Sequence, residues 1–225
     1  THSASVVDFS LDNHLPPYIT VVFGKRQGTD PVYTQQSSRW YANAASVTPT
    51  EPWPDDAGAV DLAEREAISA TSTPVKDGDE VRLRINVEVT NATSTIGSSF
   101  KLQYAAATVC SAAGAWTDVG DEVSGTIWRG YDNGGVSDGA TVPSTLLASS
   151  TVEETYEEDA VASSTPNQID IDDVGEWDFV LQHNGATAGT NYCFRMVEAD
   201  DTAFFSYDHY PQLLTNRTPA DIELQ

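Results

Sequence analysis

Positive charge is scarce in this chain: 11 lysines and arginines stand against 34 acids, giving a formal net charge of −23 over 225 residues. A surface this acidic repels phosphate backbones and excludes nucleic acid as a partner. It suits a solvated exterior, life in high salt, or the gathering of divalent cations. Long apolar runs are missing too; none approaches the roughly 20 residues of a membrane-spanning helix. Histidine is limited to His2, His14, His183 and His209. All four lie in terminal or turn-like contexts, and none stands in a word that sets a base beside a nucleophile. Paired carboxylates of the glycosidase kind carry no information here, because neighbouring acids arise by chance in so acidic a chain. The protein is therefore expected not to be an enzyme.

Cysteine is limited to Cys110 and Cys193. Two residues are compatible with two buried thiols or with one disulfide formed in an oxidising compartment. The disulfide is the expectation, and in the chain-entropy account so long a loop gains roughly 4–5 kcal/mol from closure. It would tie the strand carrying Cys193 to its partner across the core. A start at Thr1 without Met suits a mature, secreted chain whose signal peptide is gone, although an artificial boundary would look the same.

What the sequence has is β-strand pattern. In Val81-Arg82-Leu83-Arg84-Ile85-Asn86-Val87-Glu88-Val89 every odd position is apolar and every even one polar, the period of a strand with one buried and one wet face. Phe100, Leu102 and Tyr104 supply a matching apolar face, as do Trp177, Phe179 and Leu181. Asn191-Tyr192-Cys193-Phe194-Arg195-Met196 follows a Gly-bearing turn and reads as a central strand. Residues 61–68 hold helix formers over too short a span, so a loop with one helical turn is expected. Between Asp132 and Asn167 the pattern weakens into Gly, Ser, Thr and acids. Short strands with turns between them and no sustained helical period predict an all-β fold. Its expected form is an antiparallel immunoglobulin-like sandwich over 35–225, with one long acidic crossover loop and an N-terminal extension over 1–34.

That extension carries a β-prone segment, Ser5, Val6, Val7, Asp8, Phe9, Ser10 and Leu11, cut off by Pro16-Pro17 from a second one, Tyr18-Ile19-Thr20-Val21-Val22-Phe23. Either segment could complete its own sheet or reach a neighbouring subunit. Oxygen-rich loops are what calcium requires. The candidate ligands are Asp132, Asn133 and Asp138 in one cluster and Asp170, Asp172 and Asp173 in another, with a third group at 153–159; none has EF-hand spacing. Asn91 and Asn216 head glycosylation sequons. Trp53, Trp116 and Trp128 are candidates for stacking on sugars, against the alternative that they fill the core.

Gly189-Thr190-Asn191-Tyr192-Cys193-Phe194-Arg195-Met196 resembles the sixth strand of fibronectin type III and related immunoglobulin-like domains. A longer ordered set includes Arg39-Trp40-Tyr41, Thr48-Pro49-Thr50 with Pro52-Trp53, Phe100-Lys101-Leu102-Gln103-Tyr104, Trp128-Arg129 with Tyr131-Asp132-Asn133, Gly175-Glu176-Trp177-Asp178-Phe179 and Tyr192-Cys193-Phe194-Arg195. Together these words resemble the Trp-rich repeats of predicted secreted surface proteins from uncultured bacteria, over roughly residues 35–215. The resemblance implies an extracellular or cell-surface β domain and transfers no catalytic residue. The functional expectation is a structural subunit of an extracellular filament or surface layer. It would self-associate into a homopolymer by adding the 5–11 strand to a neighbour. The alternative is a carbohydrate-binding or adhesin-type module.

Overall fold

In the computed structural model the described residues are 30–158 and 163–216; the candidate assembly strand at 5–11 lies outside them. Two sheets pack over one hydrophobic core. The first contains β1 (Val32–Ala42), β2 (Glu80–Thr90), β5 (Trp128–Gly130), β6 (Ala140–Thr141), β7 (Val152–Glu157), β9 (Val174–His183) and β11 (Ser206–Tyr207). Its order is β11-β1-β2-β9-β7-β6, with β5 also on β9. The second contains β3 (Ser99–Ala106), β4 (Thr117–Asp118), β8 (Ser163–Ser164), β10 (Asn191–Glu198) and β12 (Gln212–Leu214), in the order β12-β10-β3-β4 with β8 on β3.

Alternation explains which side chains meet. Leu83, Ile85 and Val87 of β2, Trp177 and Phe179 of β9, Phe100 and Leu102 of β3, and Tyr192, Phe194 and Met196 of β10 are all buried in that core. Rings pack edge to face, Phe100 on Trp177 at 5.4 Å and Trp128 on Phe194 at 5.5 Å. Gly175 permits this: a Cβ there would come within 2.6 Å of Ile169 and 2.9 Å of Trp177. β1 carries a bulge between Gln35 and Ser37. The extra residue switches the inward set, so that Tyr33 ahead of it and Trp40 after it both reach the core.

The structure departs from the sequence expectations in four places. The sandwich is not wholly antiparallel, because β1 with β11 and β7 with β9 run parallel. The stretch taken as a crossover loop contains β6, β7 and β8, and β7 is an inner strand of the first sheet. Its sequence, Val-Glu-Glu-Thr-Tyr-Glu, hides the strand under acids. Residues 61–68 form the expected loop but its turn at Glu64-Arg65 is not helical, and the only helical piece among the described residues is a 3-10 turn at Cys110–Ala112.

The fourth departure concerns the polar side of β2, which is buried rather than wet. Arg82, Arg84 and Asn86, with Glu176 and Asp178 of β9, have no exposure. They form a connected ladder: Arg82 and Arg84 both pair with Asp178, and Arg84 also pairs with Glu176 at 2.9 Å. Two straps lie over them. One is held by its carbonyls, as Arg82 donates to Ala44 and Ser46 and Arg82 and Arg84 both reach Val47. The other is held by the backbone amides of Leu146 and Leu147, which donate to Glu176 at 2.9 Å. Burying four charges is expensive, and the ladder survives because each is paired and its remaining donors and acceptors are filled from the straps.

The chain comes into the body and leaves it at opposite poles. β1 begins where β2 ends, Val32 facing Thr90, and the Asp30 carbonyl accepts from Asn91 beside that turn. We term this the proximal pole. At the distal pole β1 ends opposite the start of β2, Ala42 facing Val81. The last described residue, Asn216, lies at that same end, its amide donating to the Val75 carbonyl at 2.7 Å.

Candidate functional site

Cys110 and Cys193 are joined, with an S–S distance of 1.97 Å. Because β3 and β10 are hydrogen-bonded neighbours with Cys193 opposite Ala105, the bond does not cross the core. Cys193 alternates with the inward Tyr192 and Phe194, so the link lies on the outer side of the second sheet and pins the loop after β3.

A row of aromatic rings runs from half-buried Trp116 inward to Phe204 of the core. Trp116 stacks on Tyr210 at 5.9 Å, Tyr210 on Tyr207 at 5.0 Å, and Tyr207 on Phe204 at 5.9 Å. Trp116, Tyr207 and Tyr210 are half-buried. The Arg195 guanidinium lies 4.3 Å from the centre of the Trp116 ring, within cation–π range. It is held there by a forked hydrogen bond to Gln103 at 3.1 and 2.8 Å, and Gln103 in turn donates to Asp118 and Asp201. Lys101 bridges the same two acids at 2.7 Å each.

The distal pole carries a cavity of about 380 Å3. Trp53 and Pro54 form one wall, and Asp55, Asp56, Asp79 and Glu80 ring it with a single lysine, Lys76. Trp53 is fixed by its indole N–H, shared between the Ser72 and Thr73 carbonyls at 3.1 and 2.9 Å. Asp79 is oriented by accepting the Lys76 backbone amide. Asp55 and Asp56 are exposed, and their carboxylates accept no hydrogen bond from the described residues.

The tryptophan candidates separate by environment. Trp128 is in the core, and Trp53 is buried with its edge at the distal cavity; Trp116 alone stays half-exposed. The 132–138 loop meets Glu158 of the third acidic group, through the Asn133 backbone amide on the Glu158 carboxylate and the Glu158 amide on Asp138. Asp132 accepts the Gly134 amide, Asp138 accepts the Glu158 amide, and Asn133 exchanges amide hydrogen bonds with Asn43 at 2.7 and 3.0 Å. Asp170 faces Gln168 and Thr93, and Asp173 faces the Thr151 hydroxyl. These oxygens are taken up by amides and hydroxyls, some in their own turns and some in neighbouring segments, and Asp172 adopts a positive φ of 69°. Among the described residues no three His, Cys, Asp or Glu side chains are placed to hold a metal ion. Asn91 sits at a φ of 70° and donates to the Asp30 carbonyl, while Asn216 is exposed and the rest of its sequon lies outside the described residues.

Three groups stand out electrostatically. Burial pushes the Glu154 carboxyl up to about 8. Burial also pushes the His209 imidazole down to about 4, and its Nε2 has no hydrogen-bond partner among the described residues. Asp77 is held below the usual carboxylate range by the Gly185 amide and by His183, whose Nδ1 lies 3.0 Å away. Neither histidine stands beside a nucleophile in any hydrogen bond of the described residues. No family model, curated protein or solved structure matches the chain.

Proposed function

We propose that this chain is a structural subunit of a secreted filament or cell-surface layer, an immunoglobulin-like sandwich that joins copies of itself head to tail through its N-terminal segment. The observation that supports it most is the opposite placement of Asp30 and Asn216. A body that receives its chain at one pole and releases it at the other is suited to a linear series. Contacts between unlike ends that do not close on themselves give open polymers. Strand addition by residues 5–11 would provide the linkage, Val7, Phe9 and Leu11 offering one apolar face and Asp8 and Ser10 a polar one. The buried ion ladder and the disulfide suit a body that carries load. Deleting residues 1–17 tests the reading: the variant should stay folded and remain monomeric while the full chain sediments as a growing series, and equal assembly by both would overturn it.

A second reading, a glycan-binding module, is favoured by the half-exposed row Trp116, Tyr210 and Tyr207 beside Arg195. Binding on a glycan array that is lost in Trp116→Ala and kept in a variant of residues 1–17 would select it.

A further inference from the structure

We infer that the distal-pole cavity receives the Lys25-Arg26 pair of a second copy of this chain. The inference rests on the head-to-tail reading above and names the contact that would orient it. Lys25-Arg26 is the one place in the sequence where two basic residues are adjacent, and it precedes the first described residue, Asp30, by only a few positions. Every arginine of the described body already donates to carbonyls, amides or carboxylates of its own subunit. The cavity has the complementary chemistry. Its four carboxylates outweigh Lys76, and Asp55 and Asp56 have no hydrogen-bond donor among the described residues. The buried Trp53 and Pro54 close one side of the cavity, so its carboxylates are the groups left to take guanidinium and ammonium N–H groups.

Geometry makes the occupant another subunit's. From Asp30 to the cavity the chain runs the length of β1, about 40 Å at the rise of an extended strand. The four residues from Arg26 to Asp30 span at most about 14 Å. The pair therefore cannot reach the cavity of its own body, whereas the distal pole of a preceding copy in line lies directly ahead of it. Two competitors stand nearby. Of the acids at the proximal pole, Asp170 and Asp173 already accept hydrogen bonds from Gln168 and Thr151, leaving Asp172 as the competitor that the Asp170→Lys, Asp172→Lys variant tests. Arg217 is one position beyond Asn216 in the sequence and would compete from the same copy as the cavity, which the Arg217→Ala variant tests.

The test is a labelled peptide of residues 20–30 titrated into the full chain, held below the concentration at which it self-associates. Asp55→Lys with Asp56→Lys should weaken binding by about tenfold or more, while Asp170→Lys with Asp172→Lys leaves it within about twofold. A Lys25→Glu, Arg26→Glu peptide should fail on the natural cavity and bind the Asp55→Lys, Asp56→Lys protein. Absence of binding, equal loss in both protein variants, or binding that emerges only in Arg217→Ala overturns the inference. A polymer that forms without peptide binding sinks the cavity contact alone; a peptide that binds a permanently monomeric protein sinks the head-to-tail reading alone.

Discussion

Gln35 of β1 reaches across the sandwich to Met196 of β10, its Oε1 accepting the Met196 amide at 2.8 Å while its Nε2 donates to the His209 carbonyl at 2.6 Å. β12 pairs with β10 only as far as Cys193. One buried side chain thus fills part of the edge where a neighbouring strand is missing. The bulge that follows Gln35 lets β1 place this amide and the Trp40 indole on the same inner side.

Gln35→Leu should therefore destabilise the fold by about 3 kcal/mol, since it strands two backbone groups without returning them to water. The urea midpoint measures this. A loss below about 1 kcal/mol would mean that water or another side chain replaces the amide.

The ion ladder predicts an asymmetry between acids. Asp178→Asn should cost about 3–5 kcal/mol, because it leaves Arg82 and Arg84 buried beside one fewer charge. Asp201→Asn, at a pair whose acid is 65% exposed, should cost under about 1 kcal/mol. Limited proteolysis supplies a second readout, with cleavage appearing in the 43–48 strap of the Asp178 variant only.

Reduction of Cys110–Cys193 frees a loop spanning 83 residues and should lower stability by roughly 4–5 kcal/mol by the chain-entropy account. Thermal unfolding with and without reductant reads the change. Because the bond lies on the outer side of the second sheet and neither cysteine lines the distal cavity, assembly of the reduced but folded protein should be unaffected.

Stability should also depend on pH in two overlapping windows. Folded Glu154 keeps its proton to about pH 8, whereas the unfolded chain releases it near 4.5. Its contribution is complete below pH 4.5 and is lost as pH rises toward 8, at up to about 1.4 kcal/mol per pH unit. Folded His209 resists protonation down to about 4 while the unfolded chain takes a proton near 6.5, so its contribution is lost as pH falls through that window. Glu154→Gln should flatten the fall in thermal midpoint between pH 6.5 and 8 (the unfolded His209 and folded Glu154 values). An unchanged slope would show that the carboxyl is not buried in the folded protein.

How much of this was legible in the sequence follows from which forces shape each element. The strict alternation of Val81 to Val89 and the aromatic face at Trp177, Phe179 and Leu181 specify strands because period-two burial leaves a direct mark. The pairing of the only two cysteines was legible for a similar reason. The path of the disulfide was not, because sequence distance does not say whether two strands are neighbours or face each other. The burial of Arg82 and Arg84 was hidden too: a charged residue at every second position reads as a wet face, and only the straps at 44–47 and 144–150 make it an inner one. β7 was masked by its acids, of which Glu154 is fully buried with its carboxyl held protonated up to about pH 8 by that burial. The distal cavity draws Trp53 and Asp55 together with Asp79 and Glu80 from separate loops, and nothing local marks that meeting.

The central claim is linear self-association, and electron microscopy of the concentrated full chain tests it most directly. The account predicts unbranched, open-ended strings whose axial repeat is about 40 Å, the length set by the eleven-residue strands of the body. Dispersed single particles at every concentration, or closed rings of fixed size, would contradict it.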